Sequence, residues 1–121
     1  MKIDLIRKED GRHWECKRSI WESLIELAEK NGYKAQGTTQ YDFDTGEPDD
    51  DWDSTDYSSK SGQLVSNEDA KNLAESLDQL ITKHQIAGVE EEIIVSFLEW
   101  VRITTINSEE RTHYYPGFEI W

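Results

Sequence analysis

The chain has 121 residues, of which 26 are acidic and 13 are basic, so its formal net charge at pH 7 is −13. A negative field of this strength repels phosphates, which disfavours nucleic-acid binding, and it would speed the encounter with a basic protein. The single cysteine excludes an intrachain disulfide, and the lack of a secretory signal or of about 18 consecutive apolar residues predicts a cytoplasmic protein without a membrane span.

A first helix is predicted at about residues 12–31, within what we expect to be a single domain of residues 1–121. Apolar side chains recur there at helical spacing, with charged side chains on the other face. The apolar positions are Trp14, Trp21, Leu24, Ile25 and Ala28. Gly32 is a stop signal after the helix, and residues 2–6 before it are compatible with a short strand.

No periodic pattern runs through residues 33–66, which are rich in Gly, Ser, Thr and Asp. Between Lys34 and Lys60 the chain has no basic residue and eight acidic ones. These are Asp42, Asp44, Glu47, Asp49, Asp50, Asp51, Asp53 and Asp56. Aromatic residues are interleaved with them, whereas disordered acidic segments are usually poor in aromatics. We therefore expect a long acidic loop that folds back in part onto the core.

A second helix is predicted at about residues 67–84. Ser66 is a good N-cap, and Glu68 and Asp69 place negative charge in the first turn, where the helix dipole favours it. An apolar stripe follows at helical spacing. It consists of Leu73, Ala74, Leu77, Leu80 and Ile81.

A third helix is predicted at about residues 89–102. The β-branched run Ile93-Ile94-Val95 also fits a strand, but the length and spacing of the segment favour a helix. Beyond it, residues 102–106 look frayed or extended, and the alternation of residues 118–121 predicts a short C-terminal strand. The predicted fold class is therefore mainly α with minor β: three packed helices, a long acidic loop and that strand.

The aspartate run of the loop suggests calcium, which prefers several carboxylate oxygens from one flexible loop. In the best register, Asp49, Asp51 and Asp53 occupy positions 1, 3 and 5 of an EF-hand loop. Ser54 then stands where glycine is required, and Lys60 stands where a bidentate glutamate is required. We therefore predict no metal site in the loop.

Candidate catalytic groups are few. On the predicted first helix His13 and Cys16 would share one face, but a structural zinc site needs four ligands and the chain has no second cysteine. No residue pattern beside His84 or His113 indicates a catalytic triad. There is also no phosphate-binding loop, dinucleotide fingerprint or nucleophile elbow. We predict a protein that is not an enzyme and that needs no cofactor.

The candidate binding site lies where aromatic residues meet the acid of the loop. Trp and Tyr anchor many protein interfaces, and an acidic rim steers basic partners toward them. The candidate partner-binding residues are Asp49, Asp50, Asp51, Trp52, Asp53 and Tyr57. The alternative is that Trp52 pins a solvated loop to the core while the aspartates only keep the chain soluble.

A pattern of residues spread over most of the chain after residue 20 resembles a group of small uncharacterised bacterial proteins. The residues that carry it are Trp21, Leu24, Leu27-Ala28, Gly32-Tyr33, Gly37-Thr38, Trp52, Tyr57, Gly62-Gln63, Val65-Ser66, Asp69-Ala70, Leu73-Ala74, Leu77 and the ending Gly117-Phe118-Glu119-Ile120-Trp121. Tyr33 and Ala35 stand where that group has Trp and Pro. The resemblance implies a bacterial, cytosolic, stand-alone domain and brings no activity with it.

Taken together, these features predict a non-catalytic protein-binding module, such as an immunity-type or regulatory antagonist of a basic partner. Two alternatives stay open: a domain that binds a small molecule or metal ion, and a DNA mimic that occupies nucleic-acid-binding proteins with its carboxylates. The oligomeric state is open as well.

Overall fold

The computed structural model of the chain describes residues 1–41, 44–83, 91–107 and 110–121, and for 104–107 and 110–113 we describe the backbone alone. These residues form three helices and six strands. In chain order the elements are β1 (Lys2–Arg7), β2 (His13–Lys17), α1 (Arg18–Glu29), β3 (Gln63–Val65), α2 (Asn67–Lys83), α3 (Glu91–Val101), β4 (Ile103–Asn107), β5 (Glu110–Tyr114) and β6 (Phe118–Ile120).

Four strands form an antiparallel sheet in the order β2-β1-β6-β3. The C-terminal strand β6 thus lies between β1 and β3, which are far apart in sequence. Cross-strand neighbours share a face of the sheet, so the register brings the buried positions of all four strands to one side. The side chains on this inner face are Ile3, Leu5, Arg7, Trp14, Cys16, Gln63, Val65, Phe118 and Ile120.

The hydrophobic core fills the space between this inner face and the helices. Aromatic rings occupy its centre: Trp21 of α1 and Phe97 of α3 both contact Phe118 of β6, with ring centroids 6.1 and 6.5 Å apart. Trp14 of β2 meets Phe97 edge to face at 5.2 Å, and Trp100 lies 5.5 Å from Phe118. Since large rings bury much apolar area each, this cluster offsets the low apolar content of the chain.

The predicted fold class, mainly α with minor β, is wrong. The chain is a mixed α and β protein, because a four-stranded antiparallel sheet packs with the three helices. Its strands are only three to six residues long, so each has little periodic signal of its own.

The predicted first helix of residues 12–31 starts too early. Residues 13–17 are strand β2, and α1 runs only from Arg18 to Glu29. In β2, half-buried Trp14 and Cys16 alternate with exposed neighbours, which is the two-residue period of a strand. Trp14 and Trp21 are also seven residues apart, a helical spacing, so the pattern of the following helix could be extended through the strand.

The other elements agree with expectation. Helix α2 begins at Asn67, and the amide of Asp69 donates to the hydroxyl of Ser66, the expected N-cap, at 3.2 Å. Helix α3 (Glu91–Val101) confirms the third helix, although the predicted first residues of that helix and His84 lie outside the described part of the chain. The N-terminal strand and the short C-terminal strand are confirmed as β1 and β6.

Residues 102–106, expected to be frayed or extended, contribute to β4. Strands β4 and β5 pair antiparallel with each other in a separate two-stranded sheet. Of the helices in the described part of the chain, none combines the length and the apolar character needed to span a membrane.

Candidate functional site

The acidic loop, defined here as residues 34–62, is attached to the sheet beside β3. Thr39 and Leu64 exchange both backbone hydrogen bonds, at 3.0 and 2.8 Å, so Thr39 extends the sheet by one bridge. The side chain of Gln40 donates to the carbonyl of Ser61, which ties the two ends of the loop together. The described residues of this long loop are therefore held on the fold at both ends.

Thr38 makes hydrogen bonds with three other residues of the loop. Its side chain is buried, its amide donates to the Ser54 carbonyl at 2.8 Å, and its hydroxyl donates to the Asp56 carbonyl at 2.8 Å. The same hydroxyl accepts a hydrogen bond of 3.0 Å from the indole nitrogen of Trp52. Trp52 is thus docked on its own loop by its polar edge and is half-buried rather than fully exposed.

Several loop aspartates have a local structural role. The carboxylate of Asp49 accepts from the amide of Asp51 at 3.0 Å, and that of Asp53 accepts from the amide and hydroxyl of Thr55 at 3.0 and 2.6 Å. These are Asx turns, which aspartate forms readily because its short side chain reaches the backbone two residues on. The bonds from Thr55 lower the pKa of Asp53 below its usual value.

Asp50 and Asp51 differ from their neighbours. Both side chains are exposed, and neither carboxylate makes a hydrogen bond or an ion pair with any residue in the described part of the chain. The fold therefore does not need these two carboxylates, whereas Asp49 and Asp53 combine a turn-forming role with exposure to solvent.

Beneath the loop lies a buried polar cluster made of Asp69 and two tyrosines. The Tyr33 hydroxyl donates to Asp69 at 2.7 Å, and the Tyr57 hydroxyl donates to the other carboxylate oxygen at 2.6 Å. The amide of Gln36 adds a bond of 3.3 Å to Asp69, and the amide of Gly37 donates to the Tyr57 hydroxyl at 2.9 Å. The cluster joins both halves of the loop to the first turn of α2.

Burial sets the acidity of the two tyrosines. It raises the pKa of Tyr57 to about 12, with the hydrogen bond to Asp69 adding to the effect, and it raises the pKa of Tyr33 further in the same direction. Tyr57 is only 7% exposed, and its carbonyl accepts from the Trp21 indole at 2.6 Å. Of the residues predicted to bind a partner, Tyr57 therefore supports the loop from below, while Asp49–Asp51, Asp53 and part of Trp52 face outward.

An open groove of about 420 Å³ separates the loop from α1. Glu22, Glu26 and Glu29 of α1 line one side, and residues 35–37, 54–55 and 57–58 of the loop line the other. Among the residues that the structure describes, none contributes a basic side chain to the lining of this groove. Glu22 pairs with Arg18 at 3.1 Å and Glu26 pairs with Lys30 at 3.3 Å on the exposed flank of the helix, where ion pairs contribute little stability.

We refer to the loop carboxylates and this groove together as the acidic surface, because Ser54 and Thr55 of the groove lining directly follow Asp53 in the chain. It consists of Asp49, Asp50, Asp51, Trp52, Asp53 and the three α1 glutamates, with the Asp69 cluster below it. Sequence reasoning assigned Asp69 only to the helix start and did not include Glu22, Glu26 or Glu29. No spacing in the chain connects α1 with the loop, because their proximity depends on the tertiary fold.

The pair His13 and Cys16, which the helical reading placed on one face, lies on opposite faces of β2. The His13 ring is exposed and 2.8 Å from Asp4, whereas Cys16 points into the core side, where burial raises the pKa of its thiol to about 11. Within the residues that the structure describes, no cluster of three or more His, Cys, Asp or Glu side chains has the geometry to hold a metal ion.

Comparison of the chain with protein-family models, with curated proteins and with solved structures found no match. What this surface does must therefore be argued from its own chemistry.

Proposed function

We propose that this chain is a non-catalytic protein-binding module whose acidic surface binds a basic partner, in the manner of an immunity-type or regulatory antagonist. The observation that carries the proposal is the pair of exposed carboxylates on Asp50 and Asp51, which the fold does not use, on a loop that is itself firmly attached. A pre-ordered loop loses little conformational entropy on binding, so its charges are available to a partner at low cost.

The groove between α1 and the loop offers a place for a basic side chain of the partner. Three glutamates line it, and none of the described residues adds a basic side chain to the lining, so the groove suits a Lys or Arg side chain of a partner. Such a side chain would place its aliphatic stem against Ile25 and its cationic head among the glutamates. Arg is favoured for carboxylate recognition because its planar head forms two parallel hydrogen bonds.

The docked indole of Trp52 is the second support. Its nitrogen is already bonded to Thr38, so the part of the ring that remains accessible is apolar. An apolar ring surrounded by carboxylates is the composition of an interface anchor with a polar rim. The single cysteine, free and half-buried, is consistent with a reducing compartment and supports a cytoplasmic module, while a bacterial source is implied only by the resemblance described above.

The proposal is tested by affinity capture from a cell lysate with three matched forms of the immobilised protein. Because the carboxylates of Asp50 and Asp51 have no hydrogen-bond or ion-pair partner among the described residues, we expect D50N/D51N to remove two charges and to leave the fold intact. The control E75Q/D78N removes two exposed carboxylates from α2, far along the chain, and leaves the same net charge.

We expect a basic protein that is retained by the wild type and by E75Q/D78N, and that is lost or strongly reduced with D50N/D51N. Equal retention by all three forms would show that capture reflects net charge alone and would reject the acidic surface as the binding site. Release of the protein by excess DNA would favour the DNA-mimic alternative, since that function requires competition with nucleic acid.

A further inference from the structure

Strand β2 leaves one edge of the main sheet open. It is the terminal strand of the order β2-β1-β6-β3, and no other strand in the described part of the chain pairs with its outer edge. The amide of Arg7 donates to the Arg12 carbonyl and that of Arg18 to the Met1 carbonyl, both at 2.9 Å. Bonded pairs alternate in an antiparallel ladder, so the amides and carbonyls of His13, Glu15 and Lys17 point away from β1.

The outward-facing residues of this edge have unfavourable neighbours within the chain. Lys17 stands opposite Lys2, and Glu15 stands opposite Asp4, so both cross-strand pairs join like charges. Neither Lys17 nor Glu15 has an ion-pair partner among the described residues, whereas Asp4 is occupied by His13. An acidic residue beside Lys17 and a basic residue beside Glu15 would therefore give each of these charges an attractive neighbour.

The edge strand also belongs to a segment of the chain that is not acidic overall. Residues 1–18 contain six basic and four acidic side chains, whereas the rest of the chain contains seven basic and 22 acidic ones. The acidic loop is attached at β3, the opposite edge of the sheet. A second copy of this chain that approaches β2 edge to edge thus avoids the repulsion between the two acidic loops.

We propose that two copies of this chain pair antiparallel through their β2 edges, with Glu15 of each copy opposite Lys17 of the other. The two-fold axis then passes beside Cys16, and each Glu15–Lys17 pair exchanges both of its backbone hydrogen bonds. Shifting the strands so that Glu15 faces Glu15 would place like charges opposite each other, so charge complementarity selects the first register.

The resulting assembly is a continuous eight-stranded sheet with the β3 strands, where the two acidic loops are attached, at its outer edges. A shallow groove beside the edge, lined in part by Trp14, Cys16, Ile20 and Ile93, lies where the second copy would cover it. In this register the two Cys16 residues form a non-bonded cross-strand pair, whose side chains approach closely enough for a disulfide. The proposal stands independently of the basic partner, because it uses the backbone edge of β2 and not Asp50 or Asp51 of the acidic loop.

Sedimentation over a range of protein concentrations tests the pairing. We expect a reversible dimer for the wild type, a dissociation constant raised about tenfold or more for K17E, because two symmetric pairs become repulsive together, and recovery of the dimer in the charge-swapped E15K/K17E. Circular dichroism of the three forms verifies that each is folded. A monomer at every concentration would overturn the proposal and would assign the edge charges to protection against strand pairing.

The register has its own readout. Oxidation of the dimer with copper phenanthroline should couple Cys16 of one copy to Cys16 of the other, and K17E should reduce the yield of this product. A wild-type dimer that is insensitive to K17E, or in which Cys16 does not couple, would contradict the proposed register.

Discussion

At the scale of single residues, the Asp69 cluster has the greatest consequence for the candidate site. Asp69 is completely buried, yet Tyr33, Tyr57 and the Gln36 amide satisfy its carboxylate, so burial does not leave an orphaned polar group. These bonds join two distant parts of the loop to α2. The cluster therefore holds the loop on α2. We expect the loss of one tyrosine hydroxyl to lower the free energy of unfolding of the whole protein.

Tyr57→Phe is expected to lower the free energy of unfolding by about 2 kcal/mol, because it removes a buried hydrogen bond to a carboxylate. It also leaves the Gly37 amide without its acceptor. Urea denaturation measures the effect, with the exposed Tyr41→Phe as the matched control that should change little. Equal stability of the two variants would mean that the cluster does not hold the loop.

The raised pKa of Tyr57 gives an alkaline signature. A tyrosine whose pKa rises from 10 in the unfolded chain to about 12 in the folded protein favours folding while it is protonated. Its contribution is therefore complete below pH 10 and is lost as the pH rises through about 12. Denaturation at pH 9 and at pH 11.5 should show a smaller loss of stability in Tyr57→Phe than in the wild type. An unchanged loss in the variant would argue against the shifted pKa.

At the scale of elements, Trp121 contacts Gly62, the residue just before β3. The Trp121 ring lies over Gly62, where an added Cβ would come within 2.6 Å of a ring carbon, and Gly62 also has a φ of +77°. Both features favour glycine at this position. No local pattern predicts this contact, because Gly62 and Trp121 are remote in sequence.

Gly62→Ala should therefore destabilise the protein more than a glycine substitution at a similar φ in open space. Gly46, with a φ of +71° and no atom near an added Cβ, provides that comparison. We expect Gly46→Ala to cost about 1 kcal/mol from backbone strain and Gly62→Ala to cost about 1–3 kcal/mol more from overpacking. Urea unfolding of both variants measures these losses in the free energy of unfolding. Equal losses would contradict the packing of the Trp121 ring over Gly62.

How far the sequence predicts the elements depends on their length. Helix α2 could be placed within a residue at each end because Ser66, the acidic first turn and a long apolar stripe all agree. Strand β2 could not be placed in this way. It has only five residues and two inward side chains, and so short a pattern also fits an additional N-terminal turn of the helix that follows. The sheet order was beyond the sequence altogether, since β6 joins β1 and β3 through contacts that no local pattern encodes.

The residues of the candidate site also differ in how far the sequence predicts them. The exposed carboxylates and Trp52 were identified from composition, because that signal is local. The α1 glutamates and Asp69 were missed as parts of the site, since each has an ordinary explanation in its own helix. Asp69, for example, fits the usual preference for acid in the first turn, and only the fold shows that it is buried beneath two tyrosines.

At the scale of the whole molecule, the −13 charge opposes folding by self-repulsion, and the ion pairs found among the described residues are mostly exposed. Screening by salt weakens this long-range repulsion. We therefore expect the midpoint of thermal unfolding to rise as NaCl is raised from about 10 mM to about 300 mM. A midpoint that falls with salt would mean that local attractions outweigh the net charge.

The central claim is that the acidic surface binds a basic partner through Asp50 and Asp51. Its most direct test is a titration calorimetry series with the captured partner, comparing the wild type, D50N/D51N and E75Q/D78N at several salt concentrations. We expect a dissociation constant raised about tenfold or more in D50N/D51N, a weaker salt dependence in that variant, and an affinity close to that of the wild type in E75Q/D78N. Equal affinities for the two variants, with the same dependence on salt, would contradict it.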